Sequence, residues 1–388
     1  MMSGKMYRFR VPSDLMSAAF VEAFLMSSDA QAAIDRMKTG GSDSGLNLTQ
    51  ERFRQLPIVV APTAEQRRIV EAIDSYLTRL DDAVATLERV QAKLKSFRAS
   101  VLKAAVEGRL VPTDACLARV EKRGYEPAEV LLARILQEHR RGWEDTELAR
   151  LMAAGRTPRD DRWKAKYPEP VASAASVLPE LPEGWCWAPM SALLSEPLRN
   201  GHSAREAKGA TGIRTLTLSA VTEADFGVRN TKLTVAEPGK VADLWLRPGD
   251  IFVERSNTPE LVGLAALYKG EASFAVFPDL LVRVRCTKHV MPEFIEAVLL
   301  SSRSRSYFQK AAKGIAGSMP KISQGTIEGL AVPLPPLAEQ QRIVDQLQRL
   351  QSVAGSAQHE VVTDQLRCRR LRQAVLKWAL EGDRKSVV

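Results

Sequence analysis

Two stretches of this 388-residue sequence are near copies: PTAEQRRIVEAI at Pro62–Ile73 and PLAEQQRIVDQL at Pro336–Leu347. They lie 274 residues apart, which is the difference between Glu339 and Glu65. The same offset relates RASVLKAAVEG at Arg98–Gly108 to RQAVLKWALEG at Arg372–Gly382, and FVEAFLMSS at Phe20–Ser28 to FIEAVLLSS at Phe294–Ser302. A constant offset over about 90 residues indicates an internal repeat. The predicted order is the end of a first unit, a long helix, a joining segment, a complete second unit and a second long helix.

Each copy begins a predicted long helix with a coiled-coil pattern. Thr63 is a candidate N-cap with Gln66 as its capping-box partner, and Gly108 supplies a stop. Apolar residues recur every seven positions at Ile73, Leu80, Leu87, Leu94 and Val101, interleaved with Ile69, Tyr76, Ala83, Val90, Phe97 and Ala104. The second helix, over about 338–382, carries Ile343, Leu347, Leu350, Val361, Leu371, Val375 and Trp378. The pattern predicts two helices packed antiparallel, which either hold two recognition units apart or only dimerise the protein.

The second unit is predicted to be a mixed α/β domain. Short β-rich runs at Thr215–Leu218, Gly249–Glu254, Leu261–Tyr268 and Leu280–Arg285 alternate with Gly and Pro turns, and one helix is predicted over Pro292–Ala312. The predicted fold class is therefore α+β: a mixed α/β domain plus two long helices packing as an antiparallel coiled coil. The predicted boundaries are 1–62 for the remnant of the first unit, 63–110 for the first helix, 111–184 for the joining segment, 185–336 for the complete unit, and 337–388 for the second helix and tail.

The first unit is predicted to be incomplete. Residues 1–55 correspond to roughly 275–329 at the constant offset, so the counterpart of about 186–274 is expected to be missing. Two interpretations remain open: an interrupted form of a longer protein, or a half-unit that another polypeptide completes.

Composition narrows the class of partner. The net charge is +9 with a pI near 9.4, and residues 196–330 contain 18 basic and 14 acidic side chains, which favours a polyanionic partner. No long apolar run or signal-peptide pattern is present, so we expect a cytoplasmic protein without membrane contact. The four cysteines are scattered without a CxxC pair, and neither a disulfide framework nor a metal site is predicted.

Three loops of the second unit concentrate groups suited to nucleic acid. Arg255 has the geometry to grip guanine O6/N7 or a phosphate, and Asn257 has the donor and acceptor pair for adenine N6/N7. The predicted DNA-binding residues are Arg199, Asn200, Arg205, Lys208, Arg214, Arg255, Asn257, Lys313, Ser318, Lys321 and Gln324. For each residue taken alone, an ordinary solvated loop is the preferred interpretation. Glu254 is predicted to form a local ion pair with its neighbour Arg255.

The two helix starts carry equivalent polar groups, namely Glu65, Gln66 and Arg68 in the first copy and Glu339, Gln340 and Arg342 in the second. An acid in a first helical turn favours the helix dipole, so structural capping is one interpretation. Duplication also suits two equivalent docking surfaces for partner subunits. No phosphate loop, Gly-rich nucleotide fingerprint or nucleophile elbow is present, and the Pro278-Asp279 pair is followed by no acid-x-Lys of a nuclease centre, so no catalytic residue is predicted.

The repeated PPLAEQQRIV and RQAVLKWALEG segments resemble the specificity subunits of type I restriction-modification systems. The joiner segments LARILQEHRRGWE, GRTPRDDRWKAKYPEP and LPELPEGWCWAPMSALL extend the resemblance over nearly the whole chain. It implies target recognition domains that read duplex DNA, and docking of modification and restriction subunits. It also implies that S-adenosylmethionine and ATP are cofactors of those partners, with none on this chain.

The resemblance thus implies a non-catalytic DNA-specificity subunit. A coiled-coil adaptor that binds protein through its loops, and a non-functional remnant of a specificity subunit, stay open as alternatives. Because the first recognition domain is expected to be nearly absent, we predict either an inactive product or a dimer in which two intact domains read an inverted repeat.

Overall fold

The computed structural model describes residues 6–39, 47–158, 160–171, 178–209, 211–314 and 319–381. The chain forms two compact units with bounds that differ from those of the sequence repeats. From here on the first unit is Met1–Ser96 with Val353–Val388, and the second unit is Phe97–Ser352. None of the described helices combines the length and apolarity needed to cross a membrane.

Helices dominate the first unit, and helices and strands alternate in the second. The α-helices are α1 (Ala18–Met26), α2 (Ser28–Met37), α3 (Gln50–Phe53), α4 (Thr63–Val106), α5 (Asp114–Glu121), α6 (Ala128–Ala153), α7 (Ser219–Thr222), α8 (Pro292–Leu300), α9 (Ser302–Ala311), α10 (Gln324–Glu328) and α11 (Leu337–Glu381). The strands are β1 (Cys186–Pro189), β2 (Arg199–Asn200), β3 (Ile213–Leu216), β4 (Thr231–Thr234), β5 (Ile251–Glu254), β6 (Ala265–Leu267), β7 (Leu281–Val284) and β8 (Ala331–Leu334). Short 3₁₀ helices lie at Asp161–Lys166, Met190–Leu193, Val228–Asn230, Pro238–Lys240 and Ala242–Leu244.

The repeat predicted from the sequence is present in the structure. Helices α1, α2, α3 and α4 begin 274 residues before α8, α9, α10 and α11, the offset between Ala18 and Pro292. The single helix predicted over Pro292–Ala312 is wrong, because Ser301 is extended and separates α8 from α9. Ser27 separates α1 from α2 in the same way. Each serine caps the following helix by accepting a bond from a backbone N–H three residues on, which explains the shared break.

The long helices α4 and α11 pack against each other in both units. In the first unit Ile73 of α4 shares a small core with Leu376 and Ala379 of α11, and Asp81 pairs with Arg372. In the second unit Val101 of α4 belongs to the same core as Leu347 of α11. Early residues of one helix meet late residues of the other, so the predicted fold class, with its antiparallel coiled coil, is confirmed.

The seam between these helices differs in detail from the prediction. The heptad series from Ile73 to Val101 is buried or half-buried, as predicted. The residues that complete the seam between its members include Leu77 and Val84. The residues predicted for this place, Tyr76, Val90 and Phe97, are instead 45%, 37% and 42% exposed. On α11 the predicted seam residues Leu371 and Trp378 are 44% and 62% exposed, while the small Ala354 is buried. The second seam position of a heptad lies either three or four residues after the first, and the sequence did not show which of the two spacings applies here.

A four-stranded antiparallel sheet with the order β2-β7-β5-β6 forms the centre of the second unit. Its side chains alternate between two cores: Ile251 and Val253 of β5 face one, and Phe252 faces the other. Helices α6 and α8 and the two-stranded sheet β1-β8 contribute to the first core, and the region around β3 and α7 to the second. Because both faces of β5 and β7 are covered, these strands are buried throughout.

Candidate nucleic-acid interface

Two of the three predicted DNA-binding loops leave the central sheet at one point, the N-terminal end of β7. Strand β5 ends at Glu254, opposite Leu281, and the next residue, Arg255, donates its backbone N–H to the carbonyl of Leu280 at 2.9 Å. Strand β2 ends at Asn200, opposite Val282. The loops that begin at Asn200 and Arg255 therefore lie on either side of the start of β7.

The third loop joins the same place through backbone bonds. The N–H of Ile322 donates to the carbonyl of Arg255 at 2.9 Å, and Lys313 and Lys321 exchange two backbone bonds of 2.9 Å. The side-chain amide of Gln324 donates to Oδ1 of Asn200 at 3.2 Å. The structure thus brings together six of the predicted residues: Arg199, Asn200, Arg255, Lys313, Lys321 and Gln324. Ser318 lies outside the described residues.

Three further candidates lie beside the β3-β4 hairpin and not among the six. Arg205 and Lys208 are exposed in the segment before β3, where the carbonyl of Arg205 accepts the N–H of Val235. Arg214 lies in β3, and its guanidinium stacks over the ring of Phe274 at 4.6 Å.

A close backbone approach positions the first loop. Gly201 packs against the chain at Phe277–Pro278, and a Cβ at residue 201 would lie 2.1 Å from the carbonyl oxygen of Phe277. Only glycine fits there without a shift of the backbone. Gly201 therefore allows the segment that carries Arg199 and Asn200 to run along β7.

The cations gathered here lack carboxylate partners within the part of the chain that the structure describes. Among the described residues, none forms an ion pair with Arg199, Arg255, Lys313 or Lys321. Some cations elsewhere in the same unit are paired, such as Arg229 with Asp225 at 2.6 Å and Lys240 with Glu237 at 2.9 Å. Arg199, Lys313 and Lys321 are exposed and Arg255 is half-buried. The end of the sheet is thus a site of positive charge that is available to an external anion.

Glu254 does not pair with Arg255, so that predicted ion pair is wrong. Its carboxylate points inward, where it is fully buried and accepts bonds from Oγ1 of Thr222 at 2.7 Å and from the amide of Asn257 at 2.5 Å. Burial raises the pKa of Glu254 above its ordinary value. Oδ1 of Asn257 accepts the N–H of Thr258, so both ends of this amide are used within the loop. Asn257 therefore shapes the loop that carries Arg255.

The two glutamines at the helix starts perform the same structural task. Gln66 and Gln340 are fully buried, and each accepts a backbone N–H through Oε1: that of Ser17 at 2.8 Å and that of Met291 at 2.9 Å. Each also donates to a carbonyl five residues earlier, at Ala61 and Pro335. These bonds tie each long helix to the segment before α1 or α8. The capping-box role predicted for Gln66 is therefore wrong.

The glutamates and arginines at the same helix starts differ between the copies. Glu339 is fully buried, and its two carboxylate oxygens accept the N–H of Asp114 and the indole N–H of Trp185, both at 2.9 Å. Arg342 pairs with the Asp114 carboxylate at 2.8 Å. Glu65 and Arg68 are exposed. The docking role stays a prediction for all six residues, and Glu65 and Arg68 are the two whose side chains are exposed on the surface.

The second unit contains a largely buried network of ion pairs that was not predicted from the sequence. Arg285 forms a two-bond pair with Asp250 at 2.6 and 2.9 Å and also contacts Glu196, which in turn pairs with Arg283 at 2.7 Å. These residues are dispersed in sequence, and only the sheet register brings them together. Their charges are compensated within the fold, so they hold β7 in place and offer no free charge to a ligand. Among the described residues, no cluster of His, Cys, Asp and Glu is arranged to hold a metal ion.

Comparison with known proteins identifies relatives. The family model described as type I restriction modification DNA specificity domain matches residues 295–359. The chain is 25% identical over 375 residues to the type I restriction enzyme EcoKI specificity subunit of Escherichia coli strain K12, covering 96% of this chain and 67% of that protein. It is 25% identical over 377 residues to the StySPI specificity subunit of Salmonella potsdam, covering 96% of this chain and 66% of that protein.

A solved structure supports the fold. It comes from work on complex assembly and conformational transition of the type I R-M system, and it matches with a TM-score of 0.58 and 18% identity over 96% of this chain and 73% of that chain. The chain spans about two thirds of the length of the two curated relatives. These matches confirm the family resemblance drawn from the repeated helix ends.

Proposed function

We propose that this chain, a relative of the type I restriction-modification specificity subunits, recognises duplex DNA and catalyses no reaction itself. The observation that carries the proposal is the group of cations without carboxylate partners at the N-terminal end of β7: Arg199, Arg255, Lys313 and Lys321. A DNA backbone compensates such charges while releasing its own counterions, which favours binding at low salt.

The residues of this surface are suited to different contacts. The guanidinium groups of Arg199 and Arg255 can bond guanine O6 and N7 or a phosphate through two donors, whereas the lysines are suited to phosphates. The amide of Gln324 is shared with Asn200 and with the carbonyl of Leu198, so these two side chains support the surface. We assign base reading to the arginines and backbone contact to Lys313 and Lys321.

Methylation and cleavage of DNA are assigned to partner subunits. The curated relatives are named specificity subunits of restriction enzymes, which supports a division of labour between subunits. In this proposal a modification subunit that uses S-adenosylmethionine methylates adenine, and a restriction subunit uses ATP to translocate and cut DNA. The present chain positions both on the target.

Binding to DNA is tested by fluorescence anisotropy over a range of salt concentrations. Co-expression with the neighbouring modification subunit and sequencing of methylated adenines first identifies the target duplex. Lys321→Ala is expected to reduce the slope of log K against log salt by about one, because one phosphate contact is lost. Arg255→Ala is expected to reduce discrimination between target and altered duplex by about 5–150-fold, equivalent to about 1–3 kcal/mol.

Lys240→Ala is the matched control, because Lys240 is an exposed lysine of the same unit that is paired with Glu237. It should leave affinity and salt slope within error of the parent protein. Binding that is absent, or that all three variants weaken equally, would contradict the proposed surface and favour the adaptor alternative.

Docking of the modification subunit is proposed at the exposed start of α4. Arg68→Glu is expected to weaken co-purification with that subunit at least tenfold, while Arg67→Glu, the same charge change on the adjacent exposed residue, serves as control. Arg342→Glu is unsuitable for this test, since Arg342 pairs with Asp114 inside the second unit. Equal assembly of the two variants would exclude Arg68 from the interface.

A further inference from the structure

An arginine on helix α9 holds the far end of the loop that carries Arg255. This loop runs from Arg255 to Leu264, between strands β5 and β6. Arg305 of α9 donates from Nη1 to the carbonyl of Val262 at 2.8 Å and from Nη2 to the carbonyl of Glu260 at 2.6 Å. One planar guanidinium thus bonds two carbonyls of a loop that precedes it by more than 40 residues.

The guanidinium of Arg305 is half-buried, and within the described residues no carboxylate forms an ion pair with it. Burial lowers the pKa of Arg305, which reflects the cost of removing its charge from water. Arg283 and Arg285 of the same unit are instead compensated by the carboxylates of Glu196 and Asp250. Two neutral carbonyls compensate a buried cation less well than a carboxylate does. The planar fork of arginine at this position is therefore explained better by the loop geometry that it fixes than by charge pairing.

Other contacts close the loop at its base and pack it on α9. The N–H of Gly263 donates to the carbonyl of Glu254 at 2.7 Å, and the amide of Asn257 donates to the Glu254 carboxylate. Gly263 has a φ of +75°, and a Cβ there would lie 2.6 Å from the Cβ of Phe308 on α9, so only glycine fits without a shift. Arg305 bonds the part of the loop between these closures.

The reading side chain depends on the backbone of this loop. The N–H of Arg255 donates to the carbonyl of Leu280 and its carbonyl accepts the N–H of Ile322, both at 2.9 Å. None of the described residues bonds the side chain of Arg255. The direction in which its guanidinium leaves the sheet is therefore set by the loop conformation, which Arg305 restrains from α9.

We propose that Arg305 is a positioning residue for base recognition, which holds the Arg255 loop so that the Arg255 guanidinium meets the base edge in one direction. The inference rests on the proposed DNA recognition and adds to it a residue that touches no DNA itself. The two donors of Arg255 match guanine O6 and N7 only when the guanidinium is aligned, whereas a phosphate accepts bonds from many directions. Loss of the Arg305 bonds therefore affects the choice of base and leaves phosphate contacts intact.

Arg305→Lys tests the proposal, because lysine keeps the charge and the apolar stem but lacks the planar fork that bonds two carbonyls. Fluorescence anisotropy compares the target duplex with a duplex altered at the base pair for which Arg255→Ala loses discrimination. Discrimination is expected to fall about tenfold, a part of what the whole contact contributes, while the slope of log K against log salt stays within error of the parent.

Arg303→Lys is the matched control. Arg303 is a half-buried arginine on the same helix, but its guanidinium stacks over the ring of Trp187 at 4.5 Å. It should leave discrimination and salt slope unchanged. Hydrogen exchange should show the amides of Leu261 and Val262 exchanging about tenfold faster in Arg305→Lys, with those of β5 unaffected.

A double variant separates positioning from general stabilisation. Arg305→Lys should cause no further loss of discrimination when Arg255 is already alanine, because the guanidinium that it positions is absent. Parent-like discrimination by Arg305→Lys, or a further loss of the same size in the double variant, would overturn the proposal. A salt slope reduced by about one with discrimination intact would also overturn it, since Arg305 would then be a phosphate contact. Absence of salt-dependent DNA binding by the parent is a different outcome, which refutes the proposed function and with it any role of Arg305 in recognition.

Discussion

Replacing Glu339 by alanine tests whether its two buried hydrogen bonds stabilise the second unit beyond the effect of an acidic residue in a first helical turn. The Glu339 carboxylate accepts two bonds of 2.9 Å, from the backbone of Asp114 and the indole of Trp185. Asp114 and Trp185 are 3% and 4% exposed, so water does not readily replace the lost acceptor. Each donor left without a partner costs about 1–3 kcal/mol.

The expected loss is smaller than the sum of the two donors. Burial raises the pKa of Glu339, although the bonds from the Asp114 N–H and the Trp185 indole act in the opposite direction. Removing the buried carboxylate therefore also removes a desolvation cost. We therefore expect Glu339→Ala to lower the free energy of unfolding of the second unit by about 3 kcal/mol. At roughly 2–4 °C per kcal/mol for a domain of this size, calorimetry should show a decrease in Tm of about 6–12 °C.

The repeat supplies the matched control. Glu65 occupies the same position in the first copy but is exposed, so Glu65→Ala should cost less than about 1 kcal/mol, the value of an acid near a helix dipole. A double-mutant cycle of Glu339→Ala with Trp185→Phe should give a coupling of about 0.5–3 kcal/mol. The reasoning is refuted by equal effects of the two alanine variants, or by a coupling indistinguishable from zero.

Three further predictions concern buried groups. Burial raises the pKa of Glu254 above its ordinary 4.5, so the folded domain binds this proton more tightly than the unfolded chain. The stability that protonation of Glu254 contributes is full below pH 4.5 and declines as the pH rises through the raised pKa. The Tm of Glu254→Gln should therefore vary less with pH over this range than the Tm of the parent. Burial raises the pKa of both Cys186 and Cys286 to about 12, so iodoacetamide at mildly alkaline pH should label the exposed Cys116 and spare these two until the protein is denatured, as read by peptide mass spectrometry. Gly201→Ala should destabilise the second unit by about 1–3 kcal/mol in denaturant titration, whereas Gly239→Ala, with open space around it, should be near neutral.

The parts of the fold that could be predicted from the sequence are those encoded locally. The heptad series from Ile73 to Val101 indicated a long helix with a buried seam, and the structure contains both. The companion residues could not be assigned, because burial of Leu77 in place of Tyr76 depends on how α11 approaches. The break at Ser301 was encoded locally by a serine N-cap, but apolar periodicity on both sides concealed it.

For the candidate DNA surface, too, the sequence indicated the local segments but not the contacts that depend on packing between distant elements. Glycine and basic residues marked the three loops, and backbone pairing brings Arg255, Lys321 and Asn200 to one end of β7. The direction of Glu254 could not be read from its neighbour in sequence, because successive strand residues face opposite sides of a sheet. Asn257 is a local partner of Glu254, but Thr222 is 32 residues away in sequence and comes close only in the folded domain.

A sequence repeat predicts a repeated contact only when both partners lie inside the repeat. Gln66 and Gln340 make the same bonds because Ser17 and Met291 are themselves related by the offset. Glu339 accepts bonds from Asp114 and Trp185, and both of these residues lie outside the matched segments of the repeat. The equivalent Glu65 has no such neighbours among the described residues. Glu22 and Glu296 differ for the same reason: Glu22 is exposed, whereas Glu296 accepts the N–H of Leu267, which lies outside the matched segments. The identical side chain is thus structural in one copy and exposed in the other, because only one copy has the neighbours that bury it.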